Sequence, residues 1–237
     1  MNDQNYTPEV VDVVDAAPKL PMQENGKPLK RKQYLFSAAS KKTRITSFIA
    51  LGLAALFILL VVIGTISTLN ADIWDIPLFG MVMDKKELKS LENQVEDAYD
   101  EIKDVIRSKD DEEIERLEDK FDTKIKSVEK AFKNPSLINM STLFVGIGEK
   151  EAAQAGALLM GLVIFFAVFV LFFAGLATLF LKKGLLITAY IFSIPFYLLF
   201  AGTALLVVAT IVLIAYIVVQ SMANADYKKY KMALKNQ

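Results

Sequence analysis

The sequence predicts an all-α integral membrane protein: four transmembrane helices, with an antiparallel two-helix extracytoplasmic hairpin between the first and second spans. Three observations predict it. Hydrophobic residues make up 54% of the 237 positions and gather in long apolar blocks. Charge is polarised although it sums to zero, with +3 over residues 1–46, −8 over 70–153 and +5 beyond. Between the first two apolar blocks lies a charged stretch whose apolar residues keep helical spacing.

Residues 1–46 are predicted to form a cytoplasmic tail. Its first part is polar, carries Pro8, Pro18 and Pro21, and reads as disordered. The second part is basic, with Lys30, Arg31, Lys32, Lys41, Lys42 and Arg44 and no acid between Lys27 and Arg44. This cluster reads as a positive-inside topology signal. It also suits contact with anionic lipid, with Tyr34, Leu35 and Phe36 dipping into the interface. Residues 47–69 form transmembrane helix 1, a signal anchor rather than a cleaved leader. Ala50 and Ala54, with Gly52 alongside, suit close helix packing.

Residues 70–153 are predicted to form the hairpin with apolar feet, its arms at 84–107 and 110–133. One stripe runs through Leu88, Leu91, Val95, Ala98, Ile102 and Val105; a second runs through Ile114, Leu117, Phe121, Ile125, Val128 and Phe132. Val105 and Ile114 are nine residues apart. At ~100° per residue, a straight helix would put the stripes on opposite faces. A reversal near 108–111 lets them face each other in order, from Val105 on Ile114 to Leu88 on Phe132. Ser108 or Asp110 would cap the second arm, with Asp111 or Glu113 as the reciprocal acid. The alternative is one bent or continuous helix presenting two faces, since the turn has no Gly or Pro. In the feet, Trp74 suits the headgroup layer, and segments 79–83 and 142–147 are expected to pair as short strands.

Residues 154–181 form transmembrane helix 2, rich in phenylalanine that reads as lipid-facing or packed. The apolar run 185–220 is 36 residues long, too long for one ordinary span. It divides at Ala201-Gly202-Thr203 into helices 3 and 4 as a tight hairpin, with Pro195 a tolerated kink beside Ser193. Residues 221–237 complete the chain as a cytoplasmic basic tail. Four spans put Lys182, Lys183 and the tail lysines on the same side as the N-terminal cluster; three would put the tail outside, against the positive-inside bias. The expected location is the plasma membrane, with both termini cytoplasmic.

With no Cys and no His, the chain lacks disulfides, thiolate nucleophiles and histidine-dependent catalysis. No catalytic, cofactor-binding or metal-binding residue is assigned. The acids at 110–113 read as a solvated face, because they lack the spacing and glycine of a calcium loop. No ionisable residue interrupts the predicted spans, which disfavours proton-coupled transport. The expected function is non-enzymatic: an accessory or scaffold subunit of a larger membrane complex, binding partners through hairpin and spans. The alternative is an oligomeric channel or transport component. Expected partners are membrane lipids and a protein partner or second copy; no nucleic acid is expected, and no small-molecule substrate is identified. Tyr99 and Ile106 widen the first stripe and are candidate partner contacts.

Overall fold

The computed structural model describes residues 20–36, 40–146 and 150–236, and everything below concerns those residues. The polar tail before residue 20 lies outside them. The described chain is helical, without strands. Four of its helices are long and apolar enough to cross a membrane.

A short helix, α1 (Arg31–Phe36), precedes the first span, α2 (Lys41–Asn70). Ser40 caps α2, its hydroxyl accepting from the Thr43 amide at 3.3 Å. The second span is α8 (Lys150–Phe180), the third is α9 (Lys183–Phe196), and the fourth is α10 (Thr203–Lys235). The apolar run does divide at Gly202. After α9 the chain makes a wide π-helical turn, Tyr197–Ala201, closed by the Gly202 amide donating to the Tyr197 carbonyl at 2.7 Å. Gly202 has φ +88°, a backbone that suits a residue without Cβ. Pro195 precedes this turn, and the Ser193 hydroxyl binds the Tyr190 carbonyl, next to the carbonyl that Pro195 leaves without a donor.

The spans close into a bundle in which α2 packs on α8 and α10, and α9 packs on α8 and α10. Their buried positions step by alternating fours and threes. On α2 these are Ala50, Ala54, Phe57, Val61, Gly64 and Thr68; on α8 they are Val163, Ala167, Val170, Ala174 and Ala177. This is the register of shallow, left-handed packing. Ala50 and Ala54 are both buried, whereas a Cβ on Gly52 would meet open space. Gly64 is tight: an added Cβ would lie 3.2 Å from the Phe196 ring and 3.3 Å from Ala201. Of the phenylalanines on α8, Phe165, Phe172 and Phe180 face outward, while Phe169 meets Phe192 of α9 edge-on at 4.7 Å.

Between the first two spans lie α3 (Pro77–Val82), α4 (Lys85–Ser108), α5 (Asp111–Phe121), α6 (Ile125–Lys133) and α7 (Leu137–Gly146). The predicted strand pairing of the feet is overturned, because residues 79–82 and 142–146 are helical; Ile147 lies outside the described residues. Pro77 starts α3 at a position that needs no amide donor. Ser136 starts α7, its hydroxyl accepting from the Asn139 amide. The feet meet instead through one antiparallel bridge, Asp72 with Ser136, beside an Ile73 amide to Pro135 carbonyl bond of 3.0 Å. The fourth span also outruns its apolar sequence. Helix α10 continues through the segment read as a basic tail to Lys235, about 50 Å in all.

Candidate functional site

Two regions outside the bundle carry the polar chemistry. The acidic one is built from α4 to α7. Lys109 has φ +56° and ends α4; Asp110 then caps α5, one carboxylate oxygen accepting from the amides of Glu112 (3.0 Å) and Glu113 (3.3 Å). Asp111, Glu112 and Glu113 fill the first turn of α5, where negative charge complements the helix dipole. A lysine in left-handed geometry thus does the work expected of Gly, at a cost of order 1 kcal/mol.

The second arm is not continuous. Asp122, φ +44°, ends α5 with the Thr123 amide reaching back to the Glu118 carbonyl at 3.1 Å. The Glu118 carboxylate then caps α6, accepting from the Ile125 amide at 2.9 Å and from Lys124 Nζ at 3.0 Å. Those hydrogen bonds, the backbone one first, hold the Glu118 carboxyl below the usual carboxylate range.

The predicted seam is therefore used unevenly. Ile102, Phe121 and Val128 are buried in one core with Ala131 of α6 and Leu143 of α7, and Leu117, Ile125 and Phe132 pack around it. Leu88, Val95, Ala98, Val105 and Ile114 are half-buried, and Leu91 is exposed. Ile106, expected to face a partner, packs against this core. Tyr99 is half-buried, with the Lys103 ammonium 5.5 Å from its ring centroid.

The basic region gathers three distant parts of the chain. Arg31 of α1 reaches the end of α8, its guanidinium donating to the carbonyls of Phe180 (2.9 Å) and Leu181 and to Asn224 Oδ1 of α10 (2.9 Å). Leu181, φ +48°, ends α8 in the left-handed geometry that turns the chain into α9. A cation at this carbonyl-rich terminus also neutralises the negative end of the helix dipole. Burial lowers the Arg31 pKa from its ordinary value.

Next to it, Leu35 is 1% exposed against Leu181 and Ala223. Tyr34 stacks on Tyr230 with centroids 4.5 Å apart. Burial, then the negative charge of Asp226, raises the Tyr34 pKa, so the phenol stays neutral. The Tyr230 hydroxyl donates to the Pro21 carbonyl (2.7 Å) and accepts from the Leu29 amide (3.0 Å). Thr43, at the start of α2, donates to Asp226 of α10 at 2.7 Å.

These contacts correct the expectation for this segment. Residues 20–36 are a strap on α2 and α10; Tyr34 and Leu35 turn into protein, while Phe36 is half-buried against Phe48 of α2, an exposed side chain. The reason is that α10 runs on past the apolar block and offers aromatic and aliphatic partners there. Of the predicted basic residues, Lys30, Lys32, Lys41, Lys42 and Arg44 are exposed around the strap. Arg31, Lys182 and Lys183 come together. With Lys228 and Lys231 of α10 they line a cavity of about 640 Å³ that has no acidic lining residue. Lys228, Lys231, Asn224 and Tyr230 escape a sequence reading that ends the fourth helix near residue 220. The pair Tyr227 and Tyr230, three apart beyond the apolar run, is the available signal, along with Asp226, the one acid after residue 153.

Comparison of the chain with protein-family models, with curated proteins and with solved structures finds no match.

Proposed function

We propose that the protein is a non-enzymatic scaffold subunit of a larger plasma-membrane complex, with both termini in the cytoplasm and the α4–α7 unit outside as an antiparallel helical hairpin. The orientation follows the charge: the strap, the α8–α9 turn and the end of α10 are basic, and basic segments stay inside. The observation that carries the scaffold reading is the apolar core shared by the four spans. Most buried positions of the spans hold Ala, Val, Leu, Phe and Tyr side chains in one core, with Ser193 and Gln220 among the few buried polar ones. Among the described residues no charged side chain is buried, which favours a packed seam over a lined path. What the bundle holds up is a charged helical unit whose α4 and α5 keep long solvent-exposed acidic faces. Such a face serves recognition by charge complementarity.

The test is purification of the full chain in mild detergent, with mass spectrometry of its companions. The scaffold reading expects a stoichiometric partner that is lost when Asp110, Asp111, Glu112 and Glu113 are changed to Lys. A homo-oligomer that conducts ions in a planar bilayer, with no partner bound, would replace this reading with the channel one.

A further inference from the structure

The basic cavity has a feature that topology alone does not require. A positive-inside signal needs lysines near span ends, but it does not need them to converge. Here Arg31, Lys182, Lys183, Lys228 and Lys231, drawn from three separate parts of the chain, line one cavity with no acid among its walls. The four lysines are exposed, so water and salt screen their repulsion, and an anion held among them lowers it further. In the turn between α8 and α9, Arg31 occupies the Phe180 and Leu181 carbonyls, and the start of α9 follows directly. Helix α9 is 14 residues long, its N-cap Lys182 makes no side-chain cap bond, and Gly184 of its first turn lines the cavity. The Leu185 amide is held by the Lys182 carbonyl at 3.2 Å, and the positive end of the α9 dipole lies beside a space already rich in cations. The one acid on this part of α10, Asp226, is taken by Thr43 and does not line the cavity.

We propose that this cavity binds the phosphate of an anionic phospholipid headgroup from the leaflet at the basic end. Arg31 is held in place by the two carbonyls and Asn224, so it offers a fixed edge, and the four lysines close around the phosphate. The lipid source, rather than a free phosphate, follows from the flank. Leu179 and Phe180, in the last turn of α8, are 57% and 55% exposed, and the Phe180 carbonyl is one that Arg31 binds. An apolar outward surface thus runs up to the cavity, as an acyl chain requires. The inference rests on the span assignment and is independent of the scaffold reading.

The experiment titrates the purified full chain in mild detergent with dioleoyl phosphatidylglycerol, dioleoyl phosphatidylcholine and inorganic phosphate, and counts bound lipid by native mass spectrometry. Wild type should retain phosphatidylglycerol in preference to phosphatidylcholine. Changing Lys182, Lys183, Lys228 and Lys231 to Gln should weaken phosphatidylglycerol about tenfold or more. Changing the same four to Arg should preserve binding, which separates lost charge from lost fold. Changing Lys30, Lys32, Lys41 and Lys42 to Gln removes equal charge outside the cavity and should cost about twofold or less. Equal losses in the two Gln sets would overturn the proposal in favour of diffuse attraction. Displacement of the lipid by inorganic phosphate at similar concentration would overturn it in favour of a soluble anion. Unchanged binding in the cavity set would overturn it outright.

Discussion

The two polar ends of the molecule are held together in opposite ways. At the basic end, hydrogen bonds join residues 149 to 209 positions apart, from Arg31 with Phe180 to Tyr230 with Pro21. In the acidic unit, the side-chain bonds that shape the turn and the break span two to seven positions: Asp110 to Glu112 and Glu118 to Ile125. The first region draws its partners from α1, α2, α8 and α10, so its contacts require the spans to be assembled. The second needs its neighbours in sequence and one small core. The basic end therefore depends on the bundle, whereas the acidic unit touches the bundle through α7 and is expected to open without disturbing the far end.

The largest expected effects test that independence directly. Tyr230→Ala removes the stack on Tyr34 and both strap bonds, and Phe121→Ala empties the core of the acidic unit; each should cost about 3 kcal/mol locally. Hydrogen exchange should rise over residues 20–36 in the first variant and over 85–133 in the second, with little crossover. Next comes Arg31→Ala, which strips a charged donor from two carbonyls and Asn224 and should loosen the strap by about 1.5–3 kcal/mol. Arg31→Lys should recover little of this, since an ammonium lacks the planar fork that spans three acceptors. The readout is protease sensitivity of the strap.

Asp110→Ala should cost about 1 kcal/mol by uncapping α5, seen as faster exchange at the Glu112 and Glu113 amides. The smallest effect is a pH dependence at the break. The folded Glu118 carboxyl titrates below its unfolded value, so its contribution is complete above the ordinary carboxylate pKa. That contribution is lost as pH falls through the lowered one. Exchange at the Ile125 amide should rise in that acidic window in wild type, and Glu118→Ala should abolish the dependence.

The same contrast decides what could be read from the sequence. The four spans and their division at Gly202 were legible, because long apolar runs and a lone glycine in a small-residue triplet are local signals. Which face of each span packs was not, since lipid-facing and buried faces are equally apolar; the pair Ala50 and Ala54 gave the one usable register. The end of α4 at Lys109 falls within the stretch where the phase of the stripes asks for a reversal, even without Gly or Pro. The break at Asp122 was hidden, because Asp-Thr-Lys carries no strong stop signal and the cap of α6 comes from Glu118, before the break. The cavity was the least legible feature. Arg31, Lys182 and Lys183 were identified one by one as topology charges, but nothing local says that they meet, or that α10 continues to bring Lys228 and Lys231 to them.

The basic and acidic ends are expected on opposite sides of a membrane, and the absence of cysteine allows a clean test of that. Single cysteines at Asn25, Ser90 and Met232, all exposed, would be treated in intact cells with a membrane-impermeant thiol reagent. The account predicts that Ser90→Cys is labelled at once, and that Asn25→Cys and Met232→Cys are labelled only after the membrane is opened. Labelling of Met232→Cys in intact cells, or protection of Ser90→Cys, would contradict it.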